Sequence, residues 1–220
     1  MDIMKIIKQR HSVRQYLNKT IDLPIREVLD AYVEECNREG DLHIQVLYDE
    51  PECFQSRLAH YGSFRNVNHY ISLVGKKSPD LAERCGYYGE KIVLKAQELR
   101  LNTCWVALTH GKSKAVIAPG EKEVIIISLG YGENQGKEHK SRSMKEVSDV
   151  DALAPDWYFK GIQAALLAPT AVNQQKFRFT REGNTVSART AGLGTNLKVD
   201  LGIVKCHFEL GAGKENFNWE

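Results

Sequence analysis

The 220-residue sequence lacks several patterns that would fix a function at once. It has five cysteines, Cys36, Cys53, Cys85, Cys104 and Cys206, but no C-x-x-C pair. An odd number at wide spacing signals neither a zinc site nor a redox dithiol, and reads as reduced thiols in a cytoplasmic protein. No stretch approaches the roughly 18 apolar residues of a membrane span. The first residues, Met-Asp-Ile-Met-Lys-Ile-Ile-Lys-Gln-Arg, are charged early and hold no apolar signal-peptide core, which again predicts the cytoplasm. An excess of one charge is also missing. Thirty Lys and Arg face 28 Asp and Glu, a formal +2. That balance removes any overall pull toward nucleic acid or an anionic membrane, so an anion site must be local. There is no H-E-x-x-H, G-x-S-x-G or EF-hand loop, and no metal site is expected. Gly192-Leu193-Gly194-Thr195-Asn196-Leu197 lacks the third glycine of a dinucleotide fingerprint and reads as a helix-entry loop. Gly211-Ala212-Gly213-Lys214 lacks P-loop spacing and reads as a helix C-cap.

What is present suits a globular fold. Hydrophobic residues are 42% and charged residues 26%, enough for a core under an ordinary surface. The length fits one large domain or two intimate halves. Asp2 to Gln9 reads as a short helix capped by Asp2, and Pro24 to Gly40 as a stronger one. His43 to Tyr48 and His69 to Val74 are strand-like. Gly89 to Arg100 is helical. Val124 to Leu129 is a continuous apolar run that suits a strand buried on both faces. The segment 136–151 is polar and reads as a traverse. After it come a helix from Trp157 to Leu167, two strands (Phe177 to Thr180 and Thr185 to Arg189) around Glu182-Gly183-Asn184, and a helix from Val199 to Gly211. The order predicts an α+β fold rather than a βαβ repeat. Residues 1–150 form one half. Residues 151–220 form a second, shorter half that echoes the first. His207 beside Cys206, and Trp105 and Trp157, read as core side chains.

Two segments carry chemistry. Arg10-His11-Ser12-Val13-Arg14 places two guanidiniums, an imidazole and a hydroxyl within one short stretch. In extended chain Arg10, Ser12 and Arg14 share a side, a donor set that suits phosphate. A solvated basic turn is the alternative. His139-Lys140-Ser141-Arg142 is a second basic cluster that could close on the same anion. Ala168-Pro169-Thr170-Ala171-Val172-Asn173-Gln174-Gln175-Lys176-Phe177 is rich in small residues and side-chain amides. Amides carry donors and acceptors that can match a heterocycle edge or a row of hydroxyls. A polar turn after a helix is the alternative.

These residues resemble a family. Arg10 to Arg14 resembles the Arg-Arg/His-Ser-x-Arg/Lys opening of nitroreductases. Ala168 to Phe177 resembles their A-P-S-x-x-N-x-Q-P-W motif. Gly89 to Ala107, ending Leu101-Asn102-Thr103-Cys104-Trp105-Val106-Ala107, resembles their helix and turn, and Ile126 to Gly132 and Lys140-Ser141-Arg142 with Glu146-Val147 resemble two further segments. The resemblance implies a nitroreductase-like fold, with a mixed, mainly antiparallel sheet flanked by helices, that holds FMN. It assigns Arg10, His11, Ser12 and Arg14 to the phosphate, with Lys140 and Arg142 assisting. It assigns Pro169, Thr170, Asn173 and Gln175 to the ribityl chain and ring, and the backbone near Ala107 and Leu108 to the reactive ring edge. The sequence departs from the family in Lys176-Phe177 for Pro-Trp and Thr170 for Ser. Its amide-rich motif also lies after the late helix rather than after the first long one. That displacement suggests a single-chain pseudo-dimer with one flavin site, acting as a monomer or pairing into a homodimer.

The implied activity is an FMN-dependent oxidoreductase. It would take hydride from NAD(P)H and serve a nitroaromatic, quinone or similar flat acceptor in ping-pong fashion. The flavin carries the chemistry, so no side chain is nominated as acid or base. Fragmentation of reduced flavin by oxygen is a second reading. A flavin-binding protein without turnover, or one that has lost the flavin, is a third.

Overall fold

The computed structural model of the protein describes residues 2–220. The chain folds into two compact units. A sheet unit comprises residues 9–81 and 91–137, and a tail unit comprises the segment ending at Lys8 with residues 82–90 and 138–220. The cut near residue 137 falls inside the polar traverse expected at 136–151.

In the sheet unit, helix α2 (Leu23–Gly40) takes Pro24 into its first turn and buries Leu29, Val33 and Cys36 on one face. It stops at Asp41, whose left-handed backbone (φ 46°) lets its N–H reach the Asn37 carbonyl. Strands β1 (Gln45–Leu47), β2 (His69–Lys76), β3 (Asn102–Val106) and β4 (Glu121–Gly130) form an antiparallel sheet in the order β1-β2-β4-β3. The expected two-sided burial of the Ile-rich run is found: β4 is an inner strand, buried from Ile125 to Gly130. A short helix, α3 (Arg57–Tyr61), follows Ser56, whose hydroxyl accepts the Ala59 N–H at 3.2 Å.

Helix α1 (Ile3–Gln9) opens the chain, with the Asp2 carboxylate accepting the Met4 N–H at 3.0 Å as the sequence suggested. In the tail unit, helices α5 (Met144–Val147), α6 (Asp156–Ala165) and α7 (Leu197–Ala212) accompany a second sheet. Strands β5 (Phe177–Glu182) and β6 (Thr185–Thr190) make the expected hairpin, and β7 (Asn218–Trp219) joins β6 in parallel. Phe179, Phe208, Phe217 and Trp219 pack ring on ring beneath it. His207 is a core residue, as expected, with its imidazole 2.8 Å from buried Glu90 and 3.0 Å from the Ala164 carbonyl. The loop 192–196 opens α7, and Gly213 caps its end at φ 78°.

Helix α4 (Leu81–Glu98) lends residues 82–90 to the tail unit. It begins eight residues before the Gly89 start that helical propensity suggested. Its glycines have a packing use that propensity does not show. A Cβ at Gly86 would lie 2.1 Å from the Val199 carbonyl oxygen, and one at Gly202 would lie 1.9 Å from that of Glu83. Two helix backbones touch here because neither carries a side chain at the crossing. The fold is thus α+β with mainly antiparallel strands and flanking helices, its strands divided between two sheets rather than one.

Candidate functional site

The basic motif lies in the sheet unit. The Val13 N–H donates to the Thr103 carbonyl at 3.0 Å, and Ser12 bridges to Thr103 in parallel fashion. The Arg65 N–H donates to the Arg14 carbonyl, and the Tyr16 N–H donates to the Arg65 carbonyl, each at 3.0 Å. Main-chain bonds therefore seat this segment beside β3. Val13 and Tyr16 face the core, and Ser12 and Arg14 face outward. Arg10 is buried at 4% exposure.

The motif surrounds a thiol. Burial pushes Cys104 up, while the Arg14 guanidinium, the Ser12 hydroxyl and the Arg10 guanidinium oppose that shift. The two guanidiniums thus act on the buried thiol by charge, and Ser12 by a hydrogen bond. His11 meets the segment 132–136, since a Cβ on Gly136 (φ 71°) would come within 2.7 Å of the His11 Cβ. Ala107 and Leu108 follow the last residue of β3, and Leu108 is largely exposed. β3 itself was read from the sequence only as the turn after a helix.

The amide-rich motif lies in the tail unit and is irregular. Val172, Asn173 and Gln175 have φ of 46°, 54° and 45°, a left-handed conformation that costs an L-residue free energy, most of all a β-branched one. Gln175 is buried, and its side chain holds the loop. Its Oε1 accepts the Arg142 N–H at 2.8 Å. Its Nε2 donates to the Lys140 carbonyl at 2.9 Å and to Asn173 Oδ1 at 2.8 Å. The Asn173 amide also donates to the Lys140 carbonyl at 2.9 Å, and the Gln175 N–H donates to Thr170 Oγ1 at 3.0 Å. Lys140, Arg142, Thr170, Asn173 and Gln175 therefore meet, the first two through their main chain. Their ammonium and guanidinium ends are exposed at the surface of this unit. Pro169 ends the preceding turn, and the Lys176 ammonium donates to the Leu193 carbonyl.

Sequence reasoning missed two participants. One is Cys104, which the parallel bridge of Ser12 to Thr103 brings beneath the basic motif. The other is Asp200, which accepts from the amide-rich loop. Its sequence signal is a lone carboxylate within the apolar run Val199-Asp200-Leu201-Gly202-Ile203-Val204. Among the described residues no helix is long and apolar enough to cross a membrane.

A structure titled a putative nitroreductase from Thermotoga maritima superposes with a TM-score of 0.71 at 23% identity, covering 98% of this chain and 85% of that one. One from Desulfovibrio desulfuricans, titled a putative nitroreductase in complex with FMN, gives 0.55 at 14% identity, with 70% and 99% covered. A putative NADH oxidase from Clostridium acetobutylicum gives 0.51 at 20% identity, with 64% and 96% covered. Likeness at these identities speaks for the fold alone. Comparison with curated proteins gives no match. A family profile described as "Putative TM nitroreductase" matches residues 2–212, nearly the whole length, and the chain belongs to that family.

Proposed function

We propose that the protein is an FMN-dependent oxidoreductase that accepts reducing equivalents from NAD(P)H and delivers them to a flat acceptor such as a nitroaromatic or quinone. The observation that carries this reading is the donor set of the basic motif. Arg10, Ser12 and Arg14 put two guanidiniums and a hydroxyl on one short stretch that main-chain bonds seat beside β3, and all three act on the Cys104 thiol. A buried guanidinium favours an anionic partner. Guanidinium forks and a short hydroxyl match a phosphate dianion. The residues present fit the FMN phosphate.

Bound FMN would supply the hydride and electron chemistry. The chain's residues would bind and orient it. Arg10, His11, Ser12 and Arg14 hold the phosphate in this reading. From Thr103, which pairs with Ser12, β3 runs on to Val106 over about 10 Å of extended chain, and Ala107 follows. The backbone at Ala107 and Leu108 would then approach the ring edge. Pro169, Thr170 and Asn173 would meet the ribityl chain and ring, with Lys140 and Arg142 adding positive charge. Gln175 acts through the loop, since its amide is bonded to main chain and to Asn173. FMN in the Desulfovibrio structure and the likeness to a Clostridium protein described as an NADH oxidase support the flavin and the nicotinamide donor.

The test is anaerobic titration with FMN and then NADPH, followed by absorption. Wild-type protein should bind FMN, and NADPH should bleach it. Arg10→Ala with Arg14→Ala should weaken FMN binding at least tenfold, because hydrogen bonds to charged groups are worth about 1.5–3 kcal/mol each. Unchanged affinity would remove the phosphate assignment. Stoichiometry decides the pseudo-dimer proposal. It expects one FMN per chain, lost by substitutions in either motif; two FMN per pair of chains with both chains contributing to each would refute it. Loss of the flavin itself under NADPH and air would favour the oxygen-fragmentation reading.

A further inference from the structure

A carboxylate in the apolar stretch of a helix needs compensation. Asp200 sits on α7 between Val199 and Leu201 and is 4% exposed. Its oxygens accept the Ala171 N–H at 3.0 and 3.2 Å and the Gln174 Nε2 at 2.7 Å. The same Gln174 nitrogen donates its other hydrogen to the Thr195 carbonyl at 2.7 Å. The loop is therefore pinned at Ala171 and Gln174 to α7 and to the segment leading into it. Between these pins lie Val172 and Asn173, both left-handed, and Gln175 follows in the same conformation. Such a run persists only where its surroundings hold it.

We propose that Asp200 is the positioning residue of the flavin-facing loop, its ionised carboxylate holding Ala171 and Gln174 so that residues 170–175 keep their strained conformation. The proposal rests on the FMN reading above.

Protonation has a defined consequence. Burial pushes Asp200 up to about 6, against the opposing pull of the bonds from Gln174 and Ala171. Both neighbours are donors, so a proton on this carboxyl competes with them. Several charged groups on α7 and near it have partners other than Asp200. Glu83 pairs with Lys205, Glu90 faces His207, Glu209 accepts from Tyr87 and Trp219, and Lys176 donates to the Leu193 carbonyl. The loop is therefore held above about pH 6 and loosened below it. The stability sign is opposite. A folded-state pKa above the unfolded value gives a contribution that is full below the ordinary carboxylate range and lost as pH rises through about 6. Ionised Asp200 therefore costs global stability at neutral pH while it orders the loop.

The experiment compares wild type, Asp200→Asn and Gln174→Ala by FMN titration from pH 5 to 8. Hydrogen exchange of the segment 168–177 is measured in the flavin-free proteins. The phosphate of FMN itself titrates near pH 6, so the ratio of Kd values between proteins is read, not either value alone. Asp200→Asn should bind FMN about tenfold more weakly at pH 8, with the ratio closing toward one at pH 5. Its loop should exchange faster at pH 8 with no loss of Tm, an outcome a merely structural anchor would not give. Gln174→Ala should weaken binding less and keep the pH dependence; it carries the test if Asp200→Asn fails to fold. Wild-type affinity and loop protection in the variants at pH 8, or a ratio independent of pH, would overturn the proposal. Wild type that takes up no FMN at any pH would sink the flavin reading instead, and exchange of the loop would still decide whether Asp200 anchors it.

Discussion

The two motifs that the sequence singled out are built on opposite principles. Residues 10–14 are seated by main-chain bonds to Thr103 and Arg65 beside a regular strand. Their outward side chains need not hold the backbone in place. Residues 170–175 have no strand beneath them and run through left-handed residues, and side chains do the holding: Gln175, Gln174, Asp200 and the Thr170 hydroxyl. The lesson concerns what substitutions report. In the basic motif, removing an outward side chain such as that of Arg14 should cost ligand affinity and little stability. In the amide loop, binding and folding are entangled, because the groups suited to a ligand also support their neighbours.

The largest effect should come from the support of the loop. Asp200 can hold Ala171 only while α7 keeps its place in the tail unit, and α7 crosses residues 83–87 with backbone on backbone. In Gly202→Ala the new methyl would sit 1.9 Å from the Glu83 carbonyl oxygen, a main-chain atom that cannot rotate away. A loss of about 3 kcal/mol, the upper end of the ordinary cost of overpacking, is expected in denaturant unfolding. A variant of wild-type stability would mean the crossing is loose, and the contrast between a seated and a propped motif would lose its footing.

Next come two substitutions that set the motifs against each other. Arg14→Ala should leave the unfolding midpoint near wild type. It should weaken FMN binding roughly tenfold to a hundredfold, the equivalent of about 1.5–3 kcal/mol. Gln175→Ala should lower both quantities. It removes the acceptor of the Arg142 N–H and a donor to the Lys140 carbonyl at a buried position. Groups left unsatisfied there cost about 1–3 kcal/mol. Chemical unfolding and FMN titration of the two variants side by side would break the comparison if Arg14→Ala unfolded as easily as Gln175→Ala.

The difference between the motifs also explains what the sequence could tell. Periodicity located β2, β4, the β5–β6 hairpin and helices α1, α2, α6 and α7 within a few residues, because each buries one face or both faces of a regular element. It started α4 at Gly89, eight residues late, in a stretch where Gly86 serves the contact with α7. It took β3 for a turn, since five residues after a left-handed Arg100 give too short a pattern to distinguish from a loop. The composition of both motifs marked them as candidates. What composition does not encode is commitment. Gln175 and Asn173 look alike in sequence, but Gln175 is buried in its own bonds and Asn173 is exposed. Asp200 lies 25 residues beyond the motif that it holds, at a distance no local pattern spans.

The smallest expected effect isolates strain from packing. Val172 is 93% exposed, so its side chain contributes little burial, and its φ of 46° is one that β-branched residues avoid. Asparagine tolerates that region because its short polar side chain can bond locally. Val172→Asn should therefore raise stability by up to about 1 kcal/mol, read as a higher denaturant midpoint with an unchanged slope. If the loop is propped by Gln175 and Asp200, removing the strain leaves the props in place, and FMN affinity should stay within about twofold, a shift of under about 0.5 kcal/mol. A loss of stability would mean that Val172 packs on something in solution. A gain in stability together with tenfold weaker binding would mean that the strained valine itself meets the ligand. The loop would then resemble the basic motif, with a side chain reserved for chemistry.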